Sequence, residues 1–305
     1  MSAAEETLSL ALPASSANLG PAFDAAAVAW NCNLRVRAQL ADTFAVQATG
    51  RERELCGEVR DHLILNVYRS ILEREGRAVR PLALELDNEI PVGKGCGSSA
   101  AARLAGVALA VHFGRLGWSA QTIAEEAARL EGHADNVAAC WWGGFVVVQT
   151  QPSGLRWLQV SQEKRWPLLL VVPREALATE RARAVLPETY RRADAVSNVQ
   201  NAMLLACAWQ QGRGDLLTAA MRDRMHQPFR APLCPLLDAL SSLAGCNGIL
   251  GCCLSGAGPA VLLVVADAAA AVPAVQARLS EVRLEAEILE AAVVTEGPGQ
   301  KWRNG

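Results

Sequence analysis

The densest chemistry in this sequence is Pro91-Val-Gly-Lys-Gly-Cys-Gly-Ser-Ser-Ala100, with glycines at 93, 95 and 97 followed by two serines. Alternating residues precede it and read as a strand; an apolar stretch follows it and reads as a helix. Glycine tolerates positive φ and lets backbone N–H groups approach a ligand closely. A helix starting at the serines adds unpaired N–H donors and a partial positive charge. Together these make an anion site suited to a di- or triphosphate, built from Pro91, Val92, Gly93, Lys94, Gly95, Cys96, Gly97, Ser98, Ser99 and Ala100. Ser98 or Ser99 offers a hydroxyl to phosphate or Mg²⁺. The plainer alternative is a tight strand-to-helix turn with Ser98 as its N-cap, and a solvated Lys94. The loop is not a Walker A motif, which ends in Gly-Lys-Ser/Thr, nor G-x-G-x-x-G, because position 98 is serine.

Two further loops are small and polar. Pro13-Ala-Ser-Ser-Ala-Asn-Leu-Gly-Pro-Ala-Phe-Asp24 ends in a carboxylate, and Leu254-Ser-Gly-Ala-Gly-Pro-Ala260 is a second glycine-rich turn. Between them lies Glu131-Gly-His-Ala-Asp-Asn-Val137, followed by Gly143–Gly144. In this order the segments resemble the three motifs of the GHMP kinases, over residues 8 to about 265, and the Asp-Asn segment resembles the homoserine kinase branch. Thr179, Arg183 and the His226–Arg230 segment are similar to that branch's C-terminal substrate segments. Ala22 stands where the family usually has glycine.

The resemblance implies transfer of the ATP γ-phosphate to the side-chain hydroxyl of L-homoserine, a step of threonine biosynthesis. It implies ATP and Mg²⁺ as cofactors and a homodimer. Ser99 and Glu131 become the metal ligands, although by position alone Glu131 reads as an acid at a helix end. Asn18, Asp24 and Asp135 face the substrate ammonium group, and Arg183 and Arg230 grip its carboxylate, for which a guanidinium fork is suited. Asn136 sits at the reacting hydroxyl, where other GHMP kinases place an aspartate, and Asp135 is the alternative base. His133 bonds the substrate or orients its loop. Thr179 and Gly256 complete the substrate side, and Asn66 falls on the adenine side. The rival readings are a GHMP kinase for another small alcohol, such as L-threonine or mevalonate, and a non-catalytic nucleotide-binding member of the fold.

These residues need positioning by a mixed set of elements. Strands are expected at 7–12, 26–39, 81–90, 141–149, 168–172, 252–254, 261–265 and 284–294. Helices are expected at 61–75, 99–113, from Ser119, at 193–212, 233–243 and 273–279. Within 193–212, Val196, Val199, Met203, Leu204 and Cys207 share one side. Strands and helices do not alternate strictly, which favours an α+β fold of mixed sheets with helices packed on one face. The turn cluster at 150–154 reads as a hairpin, a boundary between domains 1–150 and 151–305, or both.

Composition closes off other classes. The chain has 305 residues, 51% hydrophobic and 20% charged, with net charge −2. That is an ordinary globular balance with no polycationic footprint for nucleic acid. The cysteines number nine, an odd count without a C-x-x-C pair, so a zinc ribbon or redox dithiol is unsupported. The N-terminus lacks the basic n-region of a signal peptide, and no apolar run reaches the roughly 18 residues of a membrane helix. A cytoplasmic setting without a membrane partner is expected.

Overall fold

Alternation of apolar and polar residues carries the longest strand, β2 (Ala26–Leu40), through the centre of the first sheet. The computed structural model describes residues 7–302. β1 (Thr7–Ala17) pairs antiparallel with β2, with an irregularity between Pro13 and Ala14. The other strands of this six-stranded sheet are β3 (Ala45–Gly50), β4 (Leu82–Asn88), β5 (Phe145–Gln151) and β6 (Gly154–Val160), ordered β3-β4-β2-β5-β6. Only β3 and β4 run parallel; the other pairings are antiparallel. α1 (Arg53–Gly57) and α2 (Leu63–Arg74) lie between β3 and β4 in the chain. α3 (Ser98–Gly114), α4 (Ala120–Glu131) and α5 (Asp135–Trp142) follow β4, and α3 and α5 pack on β1 and β2. α3 is buried nearly all round, which explains its almost uniformly apolar sequence.

The second sheet is antiparallel, in the order β10-β7-β9-β8, from β7 (Leu168–Pro173), β8 (Ile249–Leu254), β9 (Val261–Val265) and β10 (Ala286–Ala291). Five helices join β7 to β8: α6 (Thr179–Ala184), α7 (Arg192–Gln210), α8 (Leu217–Ala220), α9 (Gln227–Arg230) and α10 (Pro235–Ser241); α11 (Ala268–Val282) joins β9 to β10. Residues 168–172 are buried throughout because both faces of β7 are covered. Leu168, Leu170 and Val172 join the large core shared with the first sheet, while Leu169 and Val171 join the smaller core with α10 and α11. The two-residue period of the strand thus stitches the two halves together.

The α+β class with mixed sheets holds; the boundaries shift for physical reasons. Residues 135–142 are helical, and the strand expected from Trp141 begins only at Phe145, because Gly143 and Gly144 at positive φ end α5. β1 runs through the expected loop to Ala17, with Ser15 and Ser16 fully buried. The N-cap of α3 is Gly97, not Ser98. α11 starts at Ala268, capped by Asp267, and carries Pro273 inside it. The 150–154 turn is the β5–β6 hairpin, so the first sheet continues to Val160. Beyond β10 the chain returns to the first sheet, where Val294 N–H donates to Ala29 O at 3.1 Å. Trp141 and Trp142 face this returning tail and β6: Trp141 packs on Trp302, and Trp142 stacks on Trp157 at 4.3 Å.

The expected stripe on α7 points outward. Val199 and Met203 are 65% and 66% exposed and Cys207 is exposed, whereas Leu205, Ala208 and Trp209 are buried. Tertiary packing chose the opposite face, using Trp209 between Phe145 of the first sheet and Trp166 at the entry to the second, both edge-on at 5.1 and 5.3 Å. Trp209→Ala is expected to cost about 3–5 kcal/mol in denaturant unfolding. Val199→Ala, on the exposed face, is expected to stay within about 0.5 kcal/mol.

Candidate active site

One cavity of about 430 Å³ lies where β1, the 91–97 loop, the start of α3, the start of α5 and the C-terminal α6–α9 segments meet. Its wall is held by hydroxyls on β1. Ser255 Oγ donates to Gly95 O at 2.7 Å, which leaves Ser16 Oγ to donate to Ser255 Oγ at 2.7 Å and to accept from Trp30 Nε1 at 3.1 Å. Each hydroxyl in this chain donates forward and accepts from behind, an arrangement in which successive bonds polarise one another. Ser15 binds the same loop through its backbone N–H to Cys96 O at 3.1 Å, while its Oγ donates to Asn136 Oδ1 at 2.8 Å. Two loop glycines have no alternative. A Cβ on Gly95 would lie 2.1 Å from Ser255 O, and one on Gly97 would lie 2.1 Å from Ser15 Oγ, with φ of +80° and +75°.

Val92, Gly93, Gly95, Cys96, Gly97, Ser98 and Ser99 all line the cavity. Pro91, Lys94 and Ala100 do not: Ala100 is buried within α3, and Lys94 is buried with its ammonium donating to Arg174 O. Burial pushes the Lys94 ammonium below the usual lysine value. Asn66 also lies off the cavity, exposed on α2. The residues of that region which do line it are Leu34, Leu55, Cys56, His62, Leu63, Ile64, Leu86, Asn88 and Ala102, an apolar recess beside the glycine loop. No local run of residues signals this recess, because it is assembled from β2, α1, α2, β4 and α3.

Ser99 and Glu131 meet as expected, Ser99 Oγ donating to Glu131 Oε2 at 3.0 Å. Among the described residues no group of three or more His, Cys, Asp or Glu side chains is placed to hold a metal ion. Mg²⁺ keeps few protein ligands and completes its shell with phosphate oxygens and water, so one hydroxyl and one carboxylate fit it. Arg103, one turn further along α3, donates to both Ser99 Oγ and Glu131 Oε2.

Asp135 and Asn136 open α5, both buried. Asp135 Oδ1 accepts from Asn136 N–H at 2.8 Å and lies 3.1 Å from His133 Nδ1; His133 Nε2 is 3.8 Å from Glu131. Burial pulls the His133 imidazole down, but the hydrogen bond and charge of Asp135, with the charge of Glu131, outweigh it and hold it above the ordinary histidine value.

At the other end stand Asn18, Asp24, Thr179, Arg183, Arg230 and Gly256. Arg183 grips Asp24 with both Nη atoms, at 3.1 and 2.7 Å, rather than leaving both groups open. Asn18 spends its amide on the fold: Nδ2 donates to Gly256 O at 2.9 Å, and Oδ1 accepts from Asp24 N–H at 2.9 Å. Arg230 is 1% exposed, donating to Ala182 O at 3.0 Å. Its own burial, then the nearby Arg183, lowers its pKa below the usual arginine value, so a carboxylate between the two would relieve both. Asp223, not picked out in the sequence, accepts from the backbone N–H groups of Met225, His226 and Gln227 and so fixes the turn that carries Arg230.

The pattern for the GHMP kinases N terminal domain matches residues 62–144, and that for the GHMP kinases C terminal domain matches residues 205–281. The chain is 44% identical over 266 residues to a homoserine kinase of Solibacter usitatus, covering 86% of each. It is 38% identical over 262 residues to one of Deinococcus radiodurans, covering 86% of this chain and 85% of that one. Among solved structures it is similar to homoserine kinase from Cytophaga hutchinsonii, with TM-score 0.81 at 25% identity over 97% and 98% of the two chains. It shares the fold of L. major mevalonate kinase, with TM-score 0.74 at 15% identity over 95% and 97%.

A raised His133 pKa means the folded state holds this proton more tightly than the unfolded chain. Its stabilising contribution is therefore full below the ordinary value of about 6.5 and is lost as the pH rises through the raised folded value. Thermal melts from pH 5.5 to 8.5 should show the wild-type advantage over His133→Gln shrinking as pH rises. A gap that stays constant would refute the assignment.

Proposed function

Given that the chain belongs to the GHMP kinase family and, within it, to the homoserine kinases, we propose how its cavity carries out the reaction. The enzyme transfers the γ-phosphate of ATP to the side-chain hydroxyl of L-homoserine, giving O-phospho-L-homoserine. The observation that carries the site assignment is a single cavity with a glycine loop and helix start at one end and Arg183 and Arg230 at the other. The first end suits phosphates, the second an amino-acid carboxylate.

In this reading the adenine lies in the apolar recess around Leu34, Ile64 and Leu86, and the phosphates lie along Gly93–Ser99. Backbone N–H groups of the loop and of the α3 N-terminus stabilise the charge on the phosphoryl oxygens. Ser99 and Glu131 hold Mg²⁺, which when bound neutralises phosphate charge. Arg183 and Arg230 take the substrate carboxylate, with Asp24, Asn18 and Thr179 around them. Asp24 now satisfies Arg183, so the incoming carboxylate takes over that guanidinium and frees Asp24 for the ammonium group, which Asp135 also faces. Asn136, oriented by Ser15, sits at the hydroxyl. Asp135 accepts the hydroxyl proton. A loose phosphoryl-transfer transition state places most of the demand on positioning rather than on a strong base.

In this reading the two domains divide after β6 rather than at 150, a choice supported by the pairing of β5 with β6. The same reading makes the protein a cytoplasmic homodimer in threonine biosynthesis; sedimentation velocity checks the dimer.

ADP release from Mg-ATP, with L-homoserine, L-threonine, mevalonate and galactose offered in parallel, tests the acceptor. Turnover with homoserine should exceed the rest in kcat/KM, and preference for another acceptor would overturn the substrate reading. Arg183→Ala should raise the homoserine KM by about tenfold or more, near the lower end of the ~2–5 kcal/mol for truncating a buried charge partner, because the Arg183 side chain is 38% exposed. The KM for ATP should hardly move. An unchanged homoserine KM would sink the carboxylate clamp.

A further inference from the structure

Arg103 brings a positive charge to the phosphate end of the cavity, and the motifs do not account for it. It lies four residues after Ser99 on α3, so the two side chains share a face of the helix. Glu131, the last residue of α4, meets that face because α4 packs on α3. The three groups close a triangle: Ser99 Oγ donates to Glu131 Oε2 at 3.0 Å, and Arg103 Nη1 donates to both. The Glu131 side chain is 8% exposed and that of Arg103 is 24% exposed.

A carboxylate this buried needs a charged partner, and a charge-assisted guanidinium bond supplies it. A divalent cation on Ser99 and Glu131 would supply it too, using the same oxygen lone pairs. The guanidinium occupies Glu131 Oε2 and a lone pair of Ser99 Oγ, so a cation bound to those same atoms displaces it; Glu131 Oε1 lies 3.8 Å from His133 Nε2. We propose that Arg103 stands in for the divalent cation on the Ser99–Glu131 pair until nucleotide phosphates arrive. It is a positioning residue: it keeps the hydroxyl and the carboxylate together and excludes the bare cation.

The exchange is driven by the phosphates. Two protein oxygens are a poor shell for an ion that favours six ligands, so a free cation gains little by displacing the guanidinium. Phosphate oxygens complete that shell and give the released guanidinium a bidentate partner at the cavity rim. Cation and nucleotide binding are thereby coupled, and the coupling is reciprocal. The inference rests on the assignment of Ser99 and Glu131 as the cation pair.

The test is Mn²⁺ binding without nucleotide, read by the electron paramagnetic resonance signal of free Mn²⁺. Arg103→Met keeps the apolar stem and removes the charge. It should bind Mn²⁺ at least about tenfold tighter than wild type, within the usual range of coupling between sites. Adding ADP should narrow that gap, because the nucleotide releases Arg103 in wild type. Arg103→Lys keeps the charge and should stay nearer wild type than Arg103→Met. In Arg103→Met combined with Glu131→Gln the tight binding should vanish. Equal Mn²⁺ affinity in wild type and Arg103→Met, including no binding by either, would overturn the proposal. So would tight binding that survives Glu131→Gln. Homoserine turnover is measured separately: its absence with tightened Mn²⁺ binding would overturn the acceptor assignment alone, and its presence with unchanged Mn²⁺ binding would overturn the stand-in alone.

Discussion

The phosphate loop depends on a run of buried hydrogen bonds from β1. Trp30, Ser16 and Ser255 pass donors along a line that ends on the carbonyl of Gly95, and Ser15 fastens the next turn through Cys96 O. Each of these polar groups is buried, so leaving one unpaired costs about 1–3 kcal/mol. That penalty fixes the loop in one geometry. It also fixes the distance between the loop and α5, because the Ser15 hydroxyl reaches Asn136. A loop pinned in this way can present its N–H groups to phosphates with little reorganisation, which is what electrostatic stabilisation of phosphoryl transfer requires.

The same line explains why the site sits between the two sheets. Ser16 belongs to β1 of the first sheet and Ser255 follows β8 of the second. The joint is reinforced by the large shared core, which takes Leu168, Leu170 and Val172 from the second sheet, and by the tail that returns beside β2. The substrate side uses the joint differently. Arg183 on α6 reaches back to Asp24 on the first half, and His226 Nε2 sits 2.7 Å from Gly20 O. Nucleotide and acceptor ends are thus held by one framework rather than by two loosely hinged ones.

At both ends of the cavity a carboxylate carries a cationic partner. Asp24 has Arg183, Glu131 has Arg103, and Asp135 has His133. In the functional reading two of these partners are exchanged for a ligand group of the same sign: Asp24 passes from guanidinium to substrate ammonium, and Glu131 from guanidinium to metal. Such exchange lets polar ligands enter a buried site without stranding an unpaired charge.

The order of the three loops and the strand–glycine–helix step at 91–99 were legible in the sequence, because local backbone needs dictate glycine and serine at those places; the Ser99–Glu131 pair came from family likeness, since by position alone Glu131 reads as an acid at a helix end. Family likeness carried Arg183, Arg230 and Asp135 to the cavity, where spacing alone could not. What the sequence could not disclose arises from contacts distant along the chain. The apolar recess draws on five elements. The α7 stripe turned outward because Trp209 fits between Phe145 and Trp166, and periodicity does not say which face finds a partner. Lys94 reads as a loop lysine either on phosphate or in solvent, and the structure instead buries it against Arg174 O. Arg103 is an unremarked charge on an apolar helix until α4 brings Glu131 against it. The sequence by itself determined the local conformations and the chemistry available; tertiary structure decided which charges meet, because burial makes each one find a partner.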